Sequence, residues 1–274
     1  MEKLNFLTAG IPSAAKDYTN AFEILKAMDL DGLEVEFVHG VRYSEKTKEA
    51  ILKGSKSGDF ILTHHGPYYI NLNAKEEDKI EASIKRVLDT ARAASVLGAY
   101  SITYHAAFYL GEDSSTVSKK MVERHETILK TLKEENIDVW VRPETTGKKS
   151  QWGTLDEIIE LSKHFDKVLP CVDFAHIHAR EEGKFNTYDE FSYILEKIGN
   201  SLGDTALNNF HAHMAGIEYG AKGEKKHLIF KESDFNYKDL LKAFKDFNVK
   251  GAVVCESPNI EIDTKILKDY YESL

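Results

Sequence analysis

Residues 60–105 read FILTHHGPYYINLNAKEEDKIEASIKRVLDTARAASVLGAYSITYH, one complete strand–helix–strand unit. Phe60–His65 is a short apolar run. Glu76–Leu97 sets Ile80, Ile84, Val87, Leu88 and Ala91 at helical spacing, which gives a helix one apolar face. Ser101–His105 is a second apolar run, and both runs finish on a histidine. A helix spanning the gap between two strands is a crossover, so the strands lie parallel.

The same unit recurs on either side. Upstream, Leu4–Ala9 and Leu33–Val38 read as strands, with helices around Asp17–Met28 and Glu45–Lys56. Downstream, the strands are Asp138–Glu144, Val168–Phe174, Asn209–Met214 and Gly251–Glu256. Helices fall around Val117–Glu135, Leu155–Phe165, Tyr188–Ile198, Tyr237–Phe247 and Thr264–Tyr271, with a long polar loop after Met214. Thr154 with Glu157 three residues on reads as a capping box. Eight strand–helix units close a barrel. The expected fold is therefore α/β, a single (β/α)8 TIM barrel spanning residues 1–274; a doubly wound open sheet is the competing arrangement.

Composition narrows the function classes. The 274 residues carry 36 Lys+Arg against 45 Asp+Glu, a formal charge of -9 that argues against nucleic-acid binding by bulk charge. No apolar run approaches the roughly 18 residues of a membrane span. Met1-Glu2-Lys3-Leu4-Asn5 has neither the basic head nor the apolar stretch of a signal peptide, and Cys171 and Cys255 cannot build a disulfide framework, so a cytoplasmic protein is expected. Gly147-Lys148-Lys149 lacks the earlier glycine and the Ser/Thr of a phosphate loop, and no Gly-x-Ser-x-Gly elbow occurs.

The polar residues are informative by position. The third to eighth strands finish in turn on His65, His105, Glu144, Asp173, His213 and Glu256. In a barrel these ends converge on one face, the face that carries catalytic sites. A single histidine at a strand end is usually a satisfied core residue, but six consecutive polar ends need another explanation. Three carboxylates buried together cost several kcal/mol per ion without a counter-charge, and the nearest fixed cation is Arg142, two residues before Glu144. Metal is the better counter-charge. Histidine and carboxylate donors without thiolate suit Zn²⁺, with Mn²⁺ or Fe²⁺ as alternatives. Six donors exceed what one tetrahedral ion needs, so Glu144, central in the order, is the expected bridge between ions and the residue assigned to catalysis.

His176, three residues past Asp173, reads equally as a ligand or a turn residue on spacing alone, and His227 by itself reads as a loop histidine. His125 and His164 read as helix surface or packing residues and His39 as a loop residue. His64 should point away from the barrel axis. His178 and His211 share the parity of ligand candidates and read as donors that orient them, while Cys171 reads as an inert buried thiol.

His65-Gly66-Pro67-Tyr68-Tyr69-Ile70-Asn71-Leu72, Glu144-Thr145-Thr146, Asp173-Phe174-Ala175-His176 and Glu256-Ser257-Pro258 resemble, in order and spacing, signatures of the endonuclease IV family of abasic-site nucleases within the xylose-isomerase-like barrels. That resemblance implies a TIM barrel with two or three zinc ions at the C-terminal ends of its strands. It implies one ion on His65, His105 and Glu144, a second on Glu144, Asp173, His213 and Glu256, and a third held with His176 and His227. It further implies an endonuclease that cuts 5′ to abasic sites in duplex DNA, with Tyr68 and Tyr69 wedged into the duplex and Arg42 inserted beside them. Two departures stand out. The family places an aspartate two residues before the loop histidine, where this chain has Lys225; the adjacent Glu224 is the replacement ligand on offer. The stretch after Glu144 reads Thr145-Thr146-Gly147-Lys148-Lys149-Ser150-Gln151-Trp152, unlike the family's Ala-Gly-Gln-Gly. The expected partner is double-stranded DNA, with no membrane and a monomeric protein. The first rival is a sugar isomerase or epimerase using Glu144, Asp173, His213 and Glu256 around one ion; the second is a non-catalytic metal-binding module.

Overall fold

The computed structural model describes residues 1–274. Eight parallel strands form its centre: β1 (Leu4–Ala9), β2 (Gly32–Glu36), β3 (Ile61–His65), β4 (Ser101–Tyr104), β5 (Trp140–Pro143), β6 (Val172–Asp173), β7 (Phe210–Met214) and β8 (Gly251–Cys255). They are ordered β5-β4-β3-β2-β1-β8-β7-β6. Parallel bridges from Val141 to Val168 and from Glu144 to Cys171 link the two outer strands and curl the sheet round on itself. The architecture is TIM-barrel-like.

Helices cover the outside: α1 (Tyr18–Ala27), α2 (Glu45–Lys56), α3 (Glu77–Leu97), α4 (Ser114–Glu134), α5 (Leu155–Ser162), α6 (Phe174–Arg180), α7 (Tyr188–Leu202), α8 (Asp204–Asn208), α9 (Tyr237–Asp246) and α10 (Glu261–Ser273). Their starts are written into the sequence. Asp17, Ser44 and Asp113 cap α1, α2 and α4, and full capping boxes at Thr154/Glu157 and Thr187/Glu190 open α5 and α7. Two apolar clusters fill the layer between sheet and helices, one around Phe22, Leu33, Leu62, Ile102 and Trp152, the other around Phe174, Phe191, Phe210 and Phe244. Each such fully buried side chain contributes roughly 1.5–3 kcal/mol.

The barrel interior differs from this shell. Its apolar part is small, with Leu7, Ala252 and Val254 at its centre. The rest is polar: His211 of β7 reaches Ser101 of β4 and lies 3.1 Å from Glu34 of β2. Those strands are not neighbours in the sheet, so their side chains meet only inside the barrel. The outer shell supplies the hydrophobic stabilisation, and the interior is left for polar chemistry.

Three local features depart from the sequence reading, while Arg142 agrees with its preference for another counter-charge. The sixth strand is only Val172–Asp173, because Pro170 within the expected run has no N–H to donate. The segment after it forms helix α6, capped by Asp173 itself. The polar loop after Met214 is an antiparallel hairpin of Gly216–Gly220 and Gly223–Leu228. Arg142 does not neutralise the carboxylates: it shares their parity but lies deeper, where its guanidinium donates to Ser101 Oγ and to the carbonyls of Pro170 and Asn209. No helix is long and apolar enough to cross a membrane.

Candidate metal centre

The strand ends bring the expected donors together on one rim. Both Glu144 oxygens face imidazoles: Oε2 lies 3.1 Å from His65 Nε2, and Oε1 lies 3.2 Å from His105 Nε2 and 3.1 Å from His176 Nδ1. His213 Nδ1 is 3.5 Å from Glu144 Oε1 and 3.4 Å from Glu256 Oε1. His227 Nε2 sits 3.4 Å from His176 Nε2. Overlapping donor groups result, each with ligand atoms within 4.8 Å of one another, among them His65/His105/Glu144, Glu144/Asp173/His213/Glu256, His65/His213/Glu256 and Asp173/His176/His227.

Local structure fixes these side chains. Asp173 is both the last residue of β6 and the N-cap of α6; its Oδ1 accepts from the His176 N–H at 2.6 Å. Its second oxygen is buried, makes no hydrogen bond and lies 3.2 Å from His176 Nδ1. One carboxylate thus ends a strand, starts a helix and keeps a free donor atom for the rim. His65 Nδ1 is tied to the Gly66 carbonyl at 2.7 Å, which leaves Nε2 toward Glu144.

Glu224 joins the group through an irregular hairpin. Glu218 pairs with Lys226 and Tyr219 with Glu224, so Lys225 is an extra residue without a partner across the ladder. Such a bulge re-aims the flanking side chains. The Lys225 side chain is 58% exposed, whereas Glu224 is 16% exposed with Oε2 3.6 Å from His176 Nε2. Gly147 makes the room: a Cβ there would lie 2.6 Å from Glu224 Cβ and 2.9 Å from His176 Cδ2. Gly147→Val is expected to push Glu224 off the rim and weaken one ion's binding by roughly tenfold or more. A metal-competition titration reads this directly, and unchanged affinity for every ion would separate Glu224 from the centre.

Strand β2 adds two carboxylates absent from the expected set. Glu34 is fully buried beneath the rim, and Glu36 stands beside His65 in the parallel register. The sequence signal is present in Gly32-Leu33-Glu34-Val35-Glu36, two acids at alternate positions of a buried strand. Reading the strand as ending at Val38 set Glu36 in its middle and hid it.

The electrostatics match a site built for cations. Burial opposes a charge on His65, but Glu144, Glu36 and Glu34 outweigh it and push its pKa up to about 10. Burial pushes Glu36 up to about 8 against the pull of His65. Burial also raises Asp173, to about 6, with Glu256 and Glu144 adding to it against His176. Glu256 goes the other way: His213 and His227 overcome burial and draw it down to about 2. Buried Glu144 Oε1, Asp173 Oδ2, Glu256 Oε2 and His213 Nδ1 all lack hydrogen-bond partners. Unpartnered buried donors and acceptors cost ~1–3 kcal/mol each, and their convergence on one rim makes it a candidate site for cations.

The other histidines separate from this group. His125 is buried and bonded to Tyr104 and to the Met121 carbonyl. His64 packs edge-on against Phe37, and burial pushes it down to about 3, which keeps it neutral. His39 and His164 are exposed. His178 does not orient a ligand; its nitrogens meet the Lys184 carbonyl and Asp234. Next to the rim, Tyr68 and Tyr69 are 66% and 60% exposed, with the Tyr68 ring 6.3 Å from that of His65. The loop after β2, which carries exposed Arg42, touches theirs where Tyr68 N–H donates to the Val38 carbonyl.

A family model described as xylose isomerase-like TIM barrel matches residues 22–273. An uncharacterized protein of Methanocaldococcus jannaschii is 42% identical over 275 residues, covering 99% of this chain and 98% of that one. A probable endonuclease 4 of Oceanobacillus iheyensis is 28% identical over 184 residues, 65% of this chain and 59% of that protein. Among solved structures, endonuclease IV from Thermus thermophilus aligns with a TM-score of 0.74 at 15% identity over 98% of this chain and all of that one. A D-tagatose 3-epimerase-like protein aligns with a TM-score of 0.74 at 20% identity over 97% and 98%. At such identities the structural likenesses speak for the fold alone.

Proposed function

The chain belongs to the xylose isomerase-like TIM barrel family, and from that premise we propose that it is a metal-dependent endonuclease that hydrolyses the phosphodiester 5′ to abasic sites in duplex DNA. The observation that carries this reading is the number of donor groups. Glu144 and Asp173 each belong to two overlapping groups on the rim, and His65, His105, His176 and His227 are surplus to what a single ion requires. The sequence relationship to the probable endonuclease 4 supports the same reading.

His65, His105 and Glu144 would hold one ion, Glu144, Asp173, His213 and Glu256 a second, and Asp173, His176, His227 and Glu224 a third. Zinc suits the set best, and manganese or ferrous iron are also accommodated. Bound there, such ions supply Lewis-acid stabilisation of charge developing on phosphoryl oxygens. The chain's own part is positional. Glu144, buried and faced by four imidazoles, holds the groups in one fixed cluster. Tyr68 and Tyr69 present exposed rings beside it on which bases can stack, and Arg42 stands on the adjoining loop. An abasic nucleotide leaves the duplex with little stacking to lose. Contacts to backbone and stack give no base preference, so cutting is expected wherever the lesion lies. We read residues 1–274 as one monomeric, cytoplasmic unit.

Tyr68→Ala is expected to weaken binding of an abasic duplex by roughly tenfold or more, with hydrolysis of a small phosphodiester unchanged. Equal losses on both substrates would remove the wedge role.

One observation favours a second reading. Glu144, Asp173, His213 and Glu256 form a complete four-donor group on their own, sufficient for a sugar isomerase or epimerase with one ion and carboxylates that move protons. A single assay separates the two. The zinc-loaded protein should nick a duplex bearing a tetrahydrofuran abasic analogue; no nicking, together with exchange of a ketose α-proton into solvent, would establish the epimerase instead.

A further inference from the structure

Beneath the rim lies a polar chain that leads up to the rim donor His213. Glu34, fully buried on β2, places Oε1 2.9 Å from His213 Nε2 and Oε2 3.1 Å from His211 Nε2. Thr63 Oγ1 donates to Glu34 Oε2 at 2.7 Å. On its far side, His211 Nδ1 is 3.2 Å from Ser101 Oγ, which accepts from Arg142 Nε at 2.8 Å. The chain runs Arg142–Ser101–His211–Glu34–His213 across the barrel and ends at His213 Nδ1, which faces Glu144 and Glu256. Every link is a side chain on a strand, so the chain is as rigid as the barrel.

A buried carboxylate is costly, and protein interiors keep one only where something repays it. Here it meets the second nitrogen of a histidine whose first nitrogen faces the rim. Carboxylate contacts of this kind fix the orientation of a metal-binding imidazole and raise its basicity. Both Glu34 contacts are within hydrogen-bond distance, although neither ring N–H is aligned on its oxygen. Their closeness and complete burial carry the argument. The same region also offers a rival grouping, because Cys171, His211 and His213 bring their ligand atoms within 4.8 Å of one another.

We propose that Glu34 is the positioning residue of the centre: it holds His213 by Nε2 so that Nδ1 is presented to the ion shared with Glu144, Asp173 and Glu256, and His211, Ser101 and Arg142 brace Glu34 from behind. This rests on the metal-centre part of the function proposed above and is independent of the substrate. It also accounts for β2 contributing a carboxylate to the interior of the barrel.

The test is cobalt(II) titration of the chelator-stripped full chain and of Glu34→Gln, followed by visible and near-ultraviolet absorption and by competition with a chromophoric chelator. For Glu34→Gln, one ion should bind about 10–100-fold more weakly, and the visible cobalt bands should shift, with the far-ultraviolet circular dichroism of the metal-free chain unchanged. A merely structural role would lower the melting temperature without moving the bands. Identical affinity and identical bands in the variant would overturn the proposal. So would a thiolate-to-cobalt band in the native chain, since the rim offers no sulfur: Cys171, His211, His213 and Glu34 would then hold an ion themselves. If the native chain binds no cobalt at all, the metal-centre reading itself falls. Should Glu34→Gln not fold, Thr63→Val removes the donor that pins the Glu34 carboxylate and is read by the same bands and the same competition, unchanged values again overturning the proposal.

Discussion

Alanine at Glu144 is expected to strip the rim of at least two ions and to lower abasic-site cutting by at least about a thousandfold. Removing one preorganised electrostatic element commonly costs 10²–10³ in rate, and Glu144 serves more than one group. Its oxygens face His65, His105 and His176 at 3.1–3.2 Å, and no neighbouring carboxylate takes over that central position. Breaking a buried ion pair from one side costs about 3–5 kcal/mol, so the metal-free variant should also melt earlier. Glu144→Gln separates the two effects: it keeps the volume and the fold, while a neutral amide holds cations far less well. Metal content by mass spectrometry checks the first effect and a nicked-duplex assay the second. Full metal content in Glu144→Gln would dismiss Glu144 as the bridge.

The second large effect concerns stability with and without metal. In the metal-free chain, Glu36 (about 8) and His65 (about 10) both titrate above the values they have when unfolded. From about pH 6.5 to pH 10 these two groups therefore make the folded state bind more protons than the unfolded one, and stability falls as pH rises; below about 6.5 the buried, neutral His64 (about 3), His125 (about 4) and His211 (about 4) act the other way, because the unfolded chain protonates them. The slope is steepest where both titrate, from about 6.5 to about 8, at roughly 1 kcal/mol per pH unit for each group. Glu256 behaves oppositely: its folded value of about 2 makes its contribution present above ~4.5 and lost as pH falls toward 2. The metal-free chain should thus be most stable in mildly acid solution. Ion binding requires neutral imidazole and ionised carboxylate, so it releases protons and strengthens as pH rises. The melting-temperature gap between zinc-loaded and chelator-stripped protein should therefore widen from about pH 5.5 to 8.5. Parallel curves would show that the rim histidines and acids take no part in ion binding.

The barrel was legible because its units repeat a physical pattern. The 60–105 stretch alone carries two strands, a helix with one apolar face and two terminal histidines, and the eight strand positions agree with the structure to within a few residues except around Pro170. The rim positions were legible because the third to eighth strands each end in one histidine or acid. What escaped notice did so for local reasons. Glu34 and Glu36 lie within the body of a strand whose end was placed two residues too late. Helix α6 was hidden because its cap, Asp173, is also a rim donor. The hairpin at 216–228 has five lysine and glutamate residues and no sustained apolar alternation to mark it as strand. The bulge at Lys225, which turns Glu224 toward His176, depends on pairing register, which the order of residues does not display.

The central claim is that this rim gathers several cations. Its most direct test is a crystal of the zinc-supplemented protein measured at energies above and below the zinc absorption edge. Two or more anomalous peaks should lie among His65, His105, Glu144, Asp173, His176, His213, His227 and Glu256, with Glu144 touching two of them. A single peak on Glu144, Asp173, His213 and Glu256, or a rim whose acids meet only lysine, arginine and water, would contradict the claim.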